Sequence, residues 1–375
     1  MTTACEERPD SSSGTLMLHL LGRCNLRCAH CYMDGAPERQ ELLPVELVIS
    51  AIRESRKLGV GVIYLTGGEP FLYKQLDRVL NVASTETDAR IVVCTNATLI
   101  NPERARMLSD ARASVNISVD GAREFHNSFR GQPGAFERTE NGIVCLRQLG
   151  VPVTIATTVT QENRHYLPSL IEWAAAHGAE CVRVQPLLKL GRGTAIADQR
   201  LTTEQMDYLF LQLSDLANRY HARGVKCTLN ESSRRFLLAH PCGAYVCNGA
   251  GCHRRMAKEI KKVVVREDGT ILPEVTNLHP RFAIGNLRDG PLTDLIDRFF
   301  ADGYQRFDAL CRRLYNEVLP TWQSAVIPWD QLVAERSHAS PNDETETNAD
   351  NVCAMCAPMK FHSRPGSGSR QGAVH

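Results

Sequence analysis

The sequence lacks the features that mark membrane proteins, secreted proteins and general nucleic-acid binders. None of its apolar runs approaches the ~18 residues that a membrane-spanning helix needs. The first residues, MTTACEERPDSSSG, contain no basic region followed by an apolar one, so they do not resemble a secretory signal. Lys and Arg number 43 against 42 Asp and Glu, a net charge of +1, which gives no support to nucleic-acid binding. These absences predict a soluble, cytoplasmic protein.

Cysteine is what the sequence has in excess, with 14 in 375 residues. Cytoplasmic thiols are kept reduced, so metal binding or redox chemistry explains this number better than disulfides do. Hydrophobic residues make up 43% of the chain, which is enough for a sizeable core. The length indicates two domains, or one domain with an extension.

Apolar runs typical of strands alternate with helical periodicity from residue 15 onward. Strands are predicted at 15–21, 60–66, 90–95, 114–119, 152–159 and 181–187. Helices are predicted at 44–58, 72–84, 102–111, 134–149, 164–177 and 202–223. Six such repeats predict an α/β fold, a partial (β/α)6 TIM-like barrel with a parallel sheet. The chemistry of such barrels lies on loops at the C-terminal ends of the strands.

The pattern changes after residue 225. We predict a flexible N-terminus at 1–14, a barrel core at 15–225, an extension at 226–336 and a disordered tail at 337–375. The extension is small and rich in cysteine, with helices after a β-hairpin whose turn is Asp268-Gly269. The tail contains Cys353 and Cys356, to which the sequence assigns no role.

The first cysteine cluster directly follows the first predicted strand. Cys24, Cys28 and Cys31 form Cys-x3-Cys-x2-Cys in RCNLRCAHCYMDG. Three thiolates can hold three irons of a [4Fe–4S] cluster, which leaves the fourth iron open to another ligand. Two alternatives are a tetrahedral zinc site with His30 as the fourth ligand, and coincidental buried cysteines. The spacing suits zinc poorly, because structural zinc usually takes paired Cys/His knuckles.

A Cys-x3-Cys-x2-Cys motif after strand one of a partial barrel resembles the radical S-adenosylmethionine (SAM) superfamily, over about residues 15–225. The resemblance implies that SAM chelates the open iron through its amine and carboxylate. It also implies that an electron from the reduced cluster cleaves SAM to a 5′-deoxyadenosyl radical, which abstracts a hydrogen from the substrate. An electron donor such as flavodoxin or ferredoxin is implied as well.

The segment Gly67-Gly68-Glu69-Pro70 extends the resemblance, because it ends the second predicted strand. Glycines there allow close approach of the backbone to a ligand, and Glu69 can accept a hydrogen bond from an ammonium group. In the family this segment binds the SAM amino group. By itself the segment would be read as a plain turn.

Three motifs further along the chain imply more SAM contacts. Ser118 in NISVDG and Arg130 in HNSFRG match residues that contact SAM in peptide-modifying members and in anaerobic sulfatase-maturing enzymes. The guanidinium of Arg130 suits a carboxylate, with a surface ion pair as the alternative. Leu187 ends the predicted strand six, where the family packs an apolar residue on adenine, although it could equally be core. His30 stands where an aromatic often touches the adenine.

A second cysteine region lies in the extension. Cys242, Cys247 and Cys252 fall in PCGAYVCNGAGCH, and Cys311 follows downstream. With the hairpin, they resemble the SPASM/twitch extension of radical SAM enzymes, which carries auxiliary iron–sulfur clusters. Glu274 stands where the usual pattern has a cysteine, and a later cysteine run is missing. We therefore expect a degenerate extension with one auxiliary cluster held by these four cysteines, with zinc or no metal as alternatives.

The resemblance implies a radical SAM enzyme that modifies a peptide or protein substrate. One alternative is the same radical acting on a small cofactor precursor such as a tetrapyrrole. Another is a non-catalytic iron–sulfur electron carrier. Glu69, Ser118 and Arg130 argue against the carrier, because a carrier needs no SAM pocket. The sequence assigns no catalytic residue, bond formed or oligomeric state.

Overall fold

The fold is built on one large sheet with helices packed against it. The computed structural model describes residues 14–245 and 260–339. The barrel strands are β1 Gly14–His19, β2 Val60–Thr66, β3 Arg90–Thr95, β4 Ser114–Ser118, β5 Val153–Val159, β6 Cys181–Pro186 and β7 Lys226–Leu229. The later strands are β8 Ser232–Ser233, β9 Lys262–Val265, β10 Thr270–Pro273, β11 Gly285–Asn286 and β12 Val326–Ile327.

Helices connect consecutive strands of the barrel and form most of the extension. The helices of the barrel are α1 Val45–Ser55, α2 Leu76–Glu86, α3 Pro102–Asp110, α4 Arg123–Phe129, α5 Ala135–Gln148, α6 Leu167–Ala176 and α7 Thr203–His221. The later helices are α8 Arg234–Ala239, α9 Leu292–Asp302, α10 Tyr304–Glu317 and α11 Trp329–Ser337.

The sheet has ten strands in the order β11-β10-β9-β1-β2-β3-β4-β5-β6-β7. Strands β1 to β7 are parallel to their neighbours, which confirms the α/β partial barrel. The six predicted strands and six predicted helices are present, with small shifts at their ends. Left-handed glycines follow four of the helices, as expected for helix C-termini: Gly59, Gly150, Gly178 and Gly224.

Two barrel elements were missed from the sequence. Strand β7 has four residues and adds a seventh parallel strand beside β6. Helix α4 has seven residues and lies between β4 and α5. Both are too short for hydrophobic periodicity to identify.

The hairpin of the extension is confirmed, with β9 antiparallel to β10. Its position beside the barrel was not predicted from the sequence. Strand β9 pairs parallel with β1 as well as antiparallel with β10. The barrel sheet therefore continues into the extension. The boundary drawn near residue 225 stays a prediction, and residues 1–13 and 340–375 of the predicted termini lie outside the described part.

Polar contacts also attach the extension to the barrel. The amide and the hydroxyl of Thr293, at the start of α9, both donate to Glu54 of α1, at 2.9 and 3.2 Å. Arg39 donates to the buried carboxylate of Glu267 at 3.1 Å. Helices α1 and α9 are in contact. Glu54 therefore accepts a hydrogen bond from an N-terminal amide of α9 that has no acceptor within its own helix. In the described ranges, no helix has the length and hydrophobicity needed to cross a bilayer.

Replacing Glu54 with Ala is expected to destabilise the protein by about 1–2 kcal/mol, because two donors of Thr293 lose a charged acceptor. The matched control is Glu46→Ala on the same helix, whose carboxylate makes an exposed ion pair with Arg78. That control should cost less. Urea unfolding curves of both variants test this, and equal losses of stability would contradict the role assigned to Glu54.

Candidate active site

The three cysteines of the first cluster lie on the loop after β1, at the C-terminal end of the parallel sheet. Cys24 and Cys28 are buried and Cys31 is partly buried against them. The backbone N–H of Leu26 donates to the sulfur of Cys24 at 3.4 Å, and that of Gly35 to the sulfur of Cys31 at 3.3 Å. Donors aimed at sulfur suit thiolates that carry negative charge on a metal.

Burial keeps the thiols of Cys24 and Cys28 protonated when no metal is bound. It raises the pKa of Cys24 to about 12, with a further contribution from the Glu69 carboxylate. Burial also raises the pKa of Cys28, and the guanidinium of Arg130 opposes that shift. Metal loading at this loop must therefore release protons.

Gly67 and Gly68, at the end of β2, hold the cysteine loop by backbone contact. The amide of Gly68 donates to the carbonyl of Leu21 at 2.7 Å, and the amide of Glu69 to that of Arg23 at 2.9 Å. A Cβ on Gly68 would lie 2.1 Å from the Arg23 oxygen. The close approach expected from these glycines is therefore to the protein's own cysteine loop. A SAM contact by this segment stays a prediction.

The Glu69 side chain is fully buried and joins β2 to β3. One oxygen accepts from the hydroxyl of Thr95 at 2.7 Å and from the amide of Phe71 at 3.3 Å. The other accepts from the amide of Asn96 at 2.9 Å. Burial raises the pKa of Glu69, and these donors oppose the shift. The expected acceptor for an ammonium group is thus already satisfied by protein donors.

Arg130 forms a buried ion pair with Asp120, a residue that the sequence did not single out as part of the site. Its Nε and Nη2 lie 2.7 and 2.5 Å from Oδ2 of Asp120, and its Nη1 lies 3.7 Å from the Cys28 sulfur. The other oxygen of Asp120 accepts from the amide of Thr158 at 2.8 Å. Burial alone would raise the pKa of Asp120, but Arg130, followed by His30 and His126, lowers it. A SAM carboxylate contact by Arg130 stays a prediction.

His30 lies beside this ion pair. Its ring stacks on Phe129 with centroids 4.2 Å apart, and its Nε2 lies 3.8 Å from Asp120. Burial lowers the pKa of His30 to about 3, so the ring is neutral at pH 7. Its Nδ1 and the Nε2 of His126 are buried without a hydrogen-bond partner. These atoms could bond to a bound molecule, which suits the predicted adenine contact without testing it.

Arg192, between β6 and α7, is a positioning residue that the sequence analysis missed. Its side chain donates to the carbonyls of Cys28 and Gly35 at 2.8 and 2.9 Å, and its amide donates to Cys31 at 3.0 Å. A Cβ on neighbouring Gly191 would lie 2.5 Å from the Cys31 oxygen. The motif Gly191-Arg192-Gly193 is the sequence signal for this role, but nothing in the neighbouring sequence indicates that Arg192 contacts a loop about 160 residues earlier in the chain.

The other predicted cofactor contacts lie at the same end of the barrel. Pro70 is buried and begins a short 3-10 helix after β2. Ser118 is the last residue of β4, and Leu187 follows β6 with 1% of its surface exposed. The structure therefore brings these residues to strand ends next to the cysteine loop, and their roles stay predictions.

The donor set fits an iron–sulfur cluster better than one metal ion. In the described residues, no three His, Cys, Asp or Glu side chains converge on a point where a single ion could be held. A [4Fe–4S] cluster gives each cysteine its own iron, so convergence is not required. Without such convergence in the described residues, the zinc alternative with His30 as fourth ligand has no support.

The second cysteine region is described only in part. Cys311 of α10 is buried, and burial, followed by Glu274, raises its pKa well above the usual range. Cys247, Cys252 and the side chain of Cys242 lie outside the described residues, so the auxiliary site stays a prediction. Glu274 has a left-handed backbone, with φ 60°, and accepts from the amide of Lys261.

A partial barrel with a three-cysteine loop at its C-terminal end defines the class of fold to which the chain belongs. Residues 18–174 match the family model of the radical SAM superfamily. Residues 18–174 of the chain therefore form a radical SAM domain. The cofactors of this family are a [4Fe–4S] cluster and SAM, as expected from the motif.

Relatives of two kinds match about half of the chain. The AdoMet-dependent heme synthase of Methanosarcina barkeri (strain Fusaro / DSM 804) is 37% identical over 181 residues, 46% of this chain and 50% of that protein. The sporulation killing factor maturation protein SkfB of Bacillus subtilis (strain 168) is 33% identical over 178 residues, 47% and 43% of the two chains. The chain spans about half the length of these relatives.

The solved structures agree on the fold. Streptococcus suis SuiB bound to S-adenosylmethionine superposes with a TM-score of 0.59 at 16% identity, over 76% of this chain and 66% of that one. At this identity the likeness shows the fold alone.

Replacing Gly68 with Ala is expected to prevent normal iron loading, because the added Cβ would collide with the Arg23 carbonyl that shapes the cysteine loop. Iron per chain after anaerobic reconstitution measures this. Gly150→Ala is the control: its added Cβ meets nothing within 4 Å, and its left-handed backbone, with φ 68°, costs only about 1–2 kcal/mol. Full iron in the Gly68 variant would refute the contact.

Replacing Arg130 with Gln is expected to lower the midpoint potential of the cluster, because a buried cation next to the Cys28 sulfur favours the more negative, reduced state. Arg130→Lys should lie between that variant and the unmodified protein. Arg27→Gln removes an exposed guanidinium of the same loop and should change little. Redox titrations followed by EPR give the three potentials, and an unchanged value for Arg130→Gln would show that the contact has no electrostatic effect.

Proposed function

We propose that this chain reductively cleaves SAM and uses the resulting 5′-deoxyadenosyl radical to modify a peptide or protein substrate. The observation that carries the proposal is the loop of Cys24, Cys28 and Cys31, buried at the C-terminal end of a radical SAM barrel with an N–H donor on each sulfur. An electron carrier would need the thiols, but not the polar network around them.

Cys24, Cys28 and Cys31 would hold the [4Fe–4S] cluster, which when bound supplies the electron for SAM cleavage. The protein's own residues shape the site around it. Gly68 and Arg192 hold the loop by backbone and carbonyl contacts. The Asp120–Arg130 pair places a cation beside one sulfur, and neutral His30 offers an unpartnered ring nitrogen for SAM.

The peptide substrate is supported by the relatives SkfB and AlbA, a subtilosin biosynthesis protein of Bacillus subtilis (strain 168). A tetrapyrrole is the second candidate, because AdoMet-dependent heme synthases match the chain at 32–37% identity and an Fe-coproporphyrin III synthase matches it at 29%. The auxiliary cluster on Cys242, Cys247, Cys252 and Cys311 belongs to the peptide-modifying proposal, as does the flavodoxin- or ferredoxin-type electron donor.

The Cys24→Ala, Cys28→Ala, Cys31→Ala triple variant is expected to lose 5′-deoxyadenosine formation from SAM, because no thiolates hold the cluster. Anaerobic reconstitution, iron analysis and product chromatography measure this. The control is Cys145→Ala, which removes a partly buried thiol of α5 far along the chain. Normal SAM cleavage by the triple variant would refute the proposed function.

The same variant tests the auxiliary site, because iron that it keeps must lie elsewhere. About four irons per chain with an EPR signal after reduction would support one auxiliary cluster. Iron near zero, or zinc in its place, would contradict it.

A further inference from the structure

We propose that the interior of the barrel contains a binding site for a substrate carboxylate, formed by Arg183 and Tyr64. Arg183 lies on β6 and Tyr64 on β2, on opposite walls of the curved sheet. The Arg183 Nη1 lies 3.5 Å from the Tyr64 hydroxyl oxygen. The inference rests on the proposed function, since a substrate must enter the barrel to use this site.

Strand alternation places both side chains on the concave face of the sheet. Their neighbours along each strand are fully buried in the core against the helices: Val182, Val184, Ile63 and Leu65. Successive side chains of a strand point to opposite faces, so Arg183 and Tyr64 project into the barrel.

Arg183 is a cation without an anionic partner in the described part of the chain. The largest electrostatic contributions to it come from Tyr64, Cys181 and Cys94. Burial raises the pKa of Cys94 to about 11, so that thiol is neutral at pH 7. Arg183 is half-buried, and its guanidinium is always charged, so an anionic partner would normally be expected at this position.

Two other buried or half-buried cations of this protein form ion pairs with carboxylates. Arg130 pairs with Asp120, and Lys262, which also faces Tyr64, pairs with Asp330 at 3.1 Å. Arg183 thus differs from Arg130 and Lys262, and a ligand would supply the missing anion.

The position of Arg183 suits a substrate near the cysteine loop. Cys94 acts electrostatically on both Arg183 and Tyr32, and Tyr32 follows Cys31 directly. Cys94 therefore lies near both Arg183 in the barrel and the residue that follows the third cysteine.

A carboxylate is the ligand class that this geometry recognises. The guanidinium fork matches two carboxylate oxygens, and the Tyr64 hydroxyl adds a donor beside it. The carboxylate could belong to a peptide or to the propionate of a tetrapyrrole, so the same chemistry serves both candidate substrates.

The first test uses propionate as the probe and propionamide as its neutral match. Saturation-transfer NMR on the cluster-loaded protein should detect propionate binding that Arg183→Gln weakens about tenfold or more. Arg183→Lys should keep part of it, because the charge is retained without the fork. Arg106→Gln, at an exposed position, is the control and should bind like the unmodified protein. Propionate signals equal in all variants, or equal for propionamide, would overturn the inference.

The second test distinguishes the sources of the carboxylate. Coproporphyrin III and its tetramethyl ester are titrated by absorbance into the same proteins. Binding of the free acid alone, lost in Arg183→Gln, assigns the site to a tetrapyrrole. Propionate binding that depends on Arg183, without porphyrin binding, assigns it to a peptide carboxylate. If Arg183→Gln misfolds by circular dichroism, Tyr64→Phe takes its place and should weaken propionate binding; no weakening would overturn the inference.

Failure of this inference is separate from failure of the proposed function. The absence of 5′-deoxyadenosine from the unmodified protein would refute SAM cleavage, whatever the propionate result. Normal SAM cleavage without Arg183-dependent binding would refute only the carboxylate site.

Discussion

The backbone contact between the cysteine loop and the end of β2 is the constraint on which the site depends. The loop after β1 has little regular structure, so its shape comes from partners outside it. Gly68 and Glu69 donate to the carbonyls of Leu21 and Arg23, and no side chain fits at Gly68. Because β1 and β2 are adjacent parallel strands, this contact sets the position of three thiols relative to the whole barrel.

Buried polar side chains also hold the strand ends and the cysteine loop in position. Glu69 connects β2 to β3, and the Asp120–Arg130 pair connects the end of β4 to Cys28. Each ion or carboxylate is matched by donors or by an opposite charge, as burial requires. These groups lie at the strand ends, so the chemistry is placed where a β/α barrel normally carries it. Arg183 is the departure from this matching, and for that reason it indicates a ligand.

The extension is part of the same architecture. Strand β9 pairs with β1, the strand that leads into the cysteine loop. Glu54 of α1 accepts a hydrogen bond from the amide of Thr293 at the start of α9. A disturbance of the extension can therefore reach the site through β1.

The sequence alone determined the β/α repeat, the hairpin and the three-cysteine motif, because periodicity and motif spacing are local properties. It also placed the candidate residues at strand ends. Only the tertiary structure decided their partners: Glu69 with Thr95 and Asn96, Arg130 with Asp120, and Arg192 with the cysteine loop. These contacts join residues on different strands, and β9 joins β1 across more than two hundred residues. Such pairings follow from the order of the strands in the sheet, which no local pattern encodes.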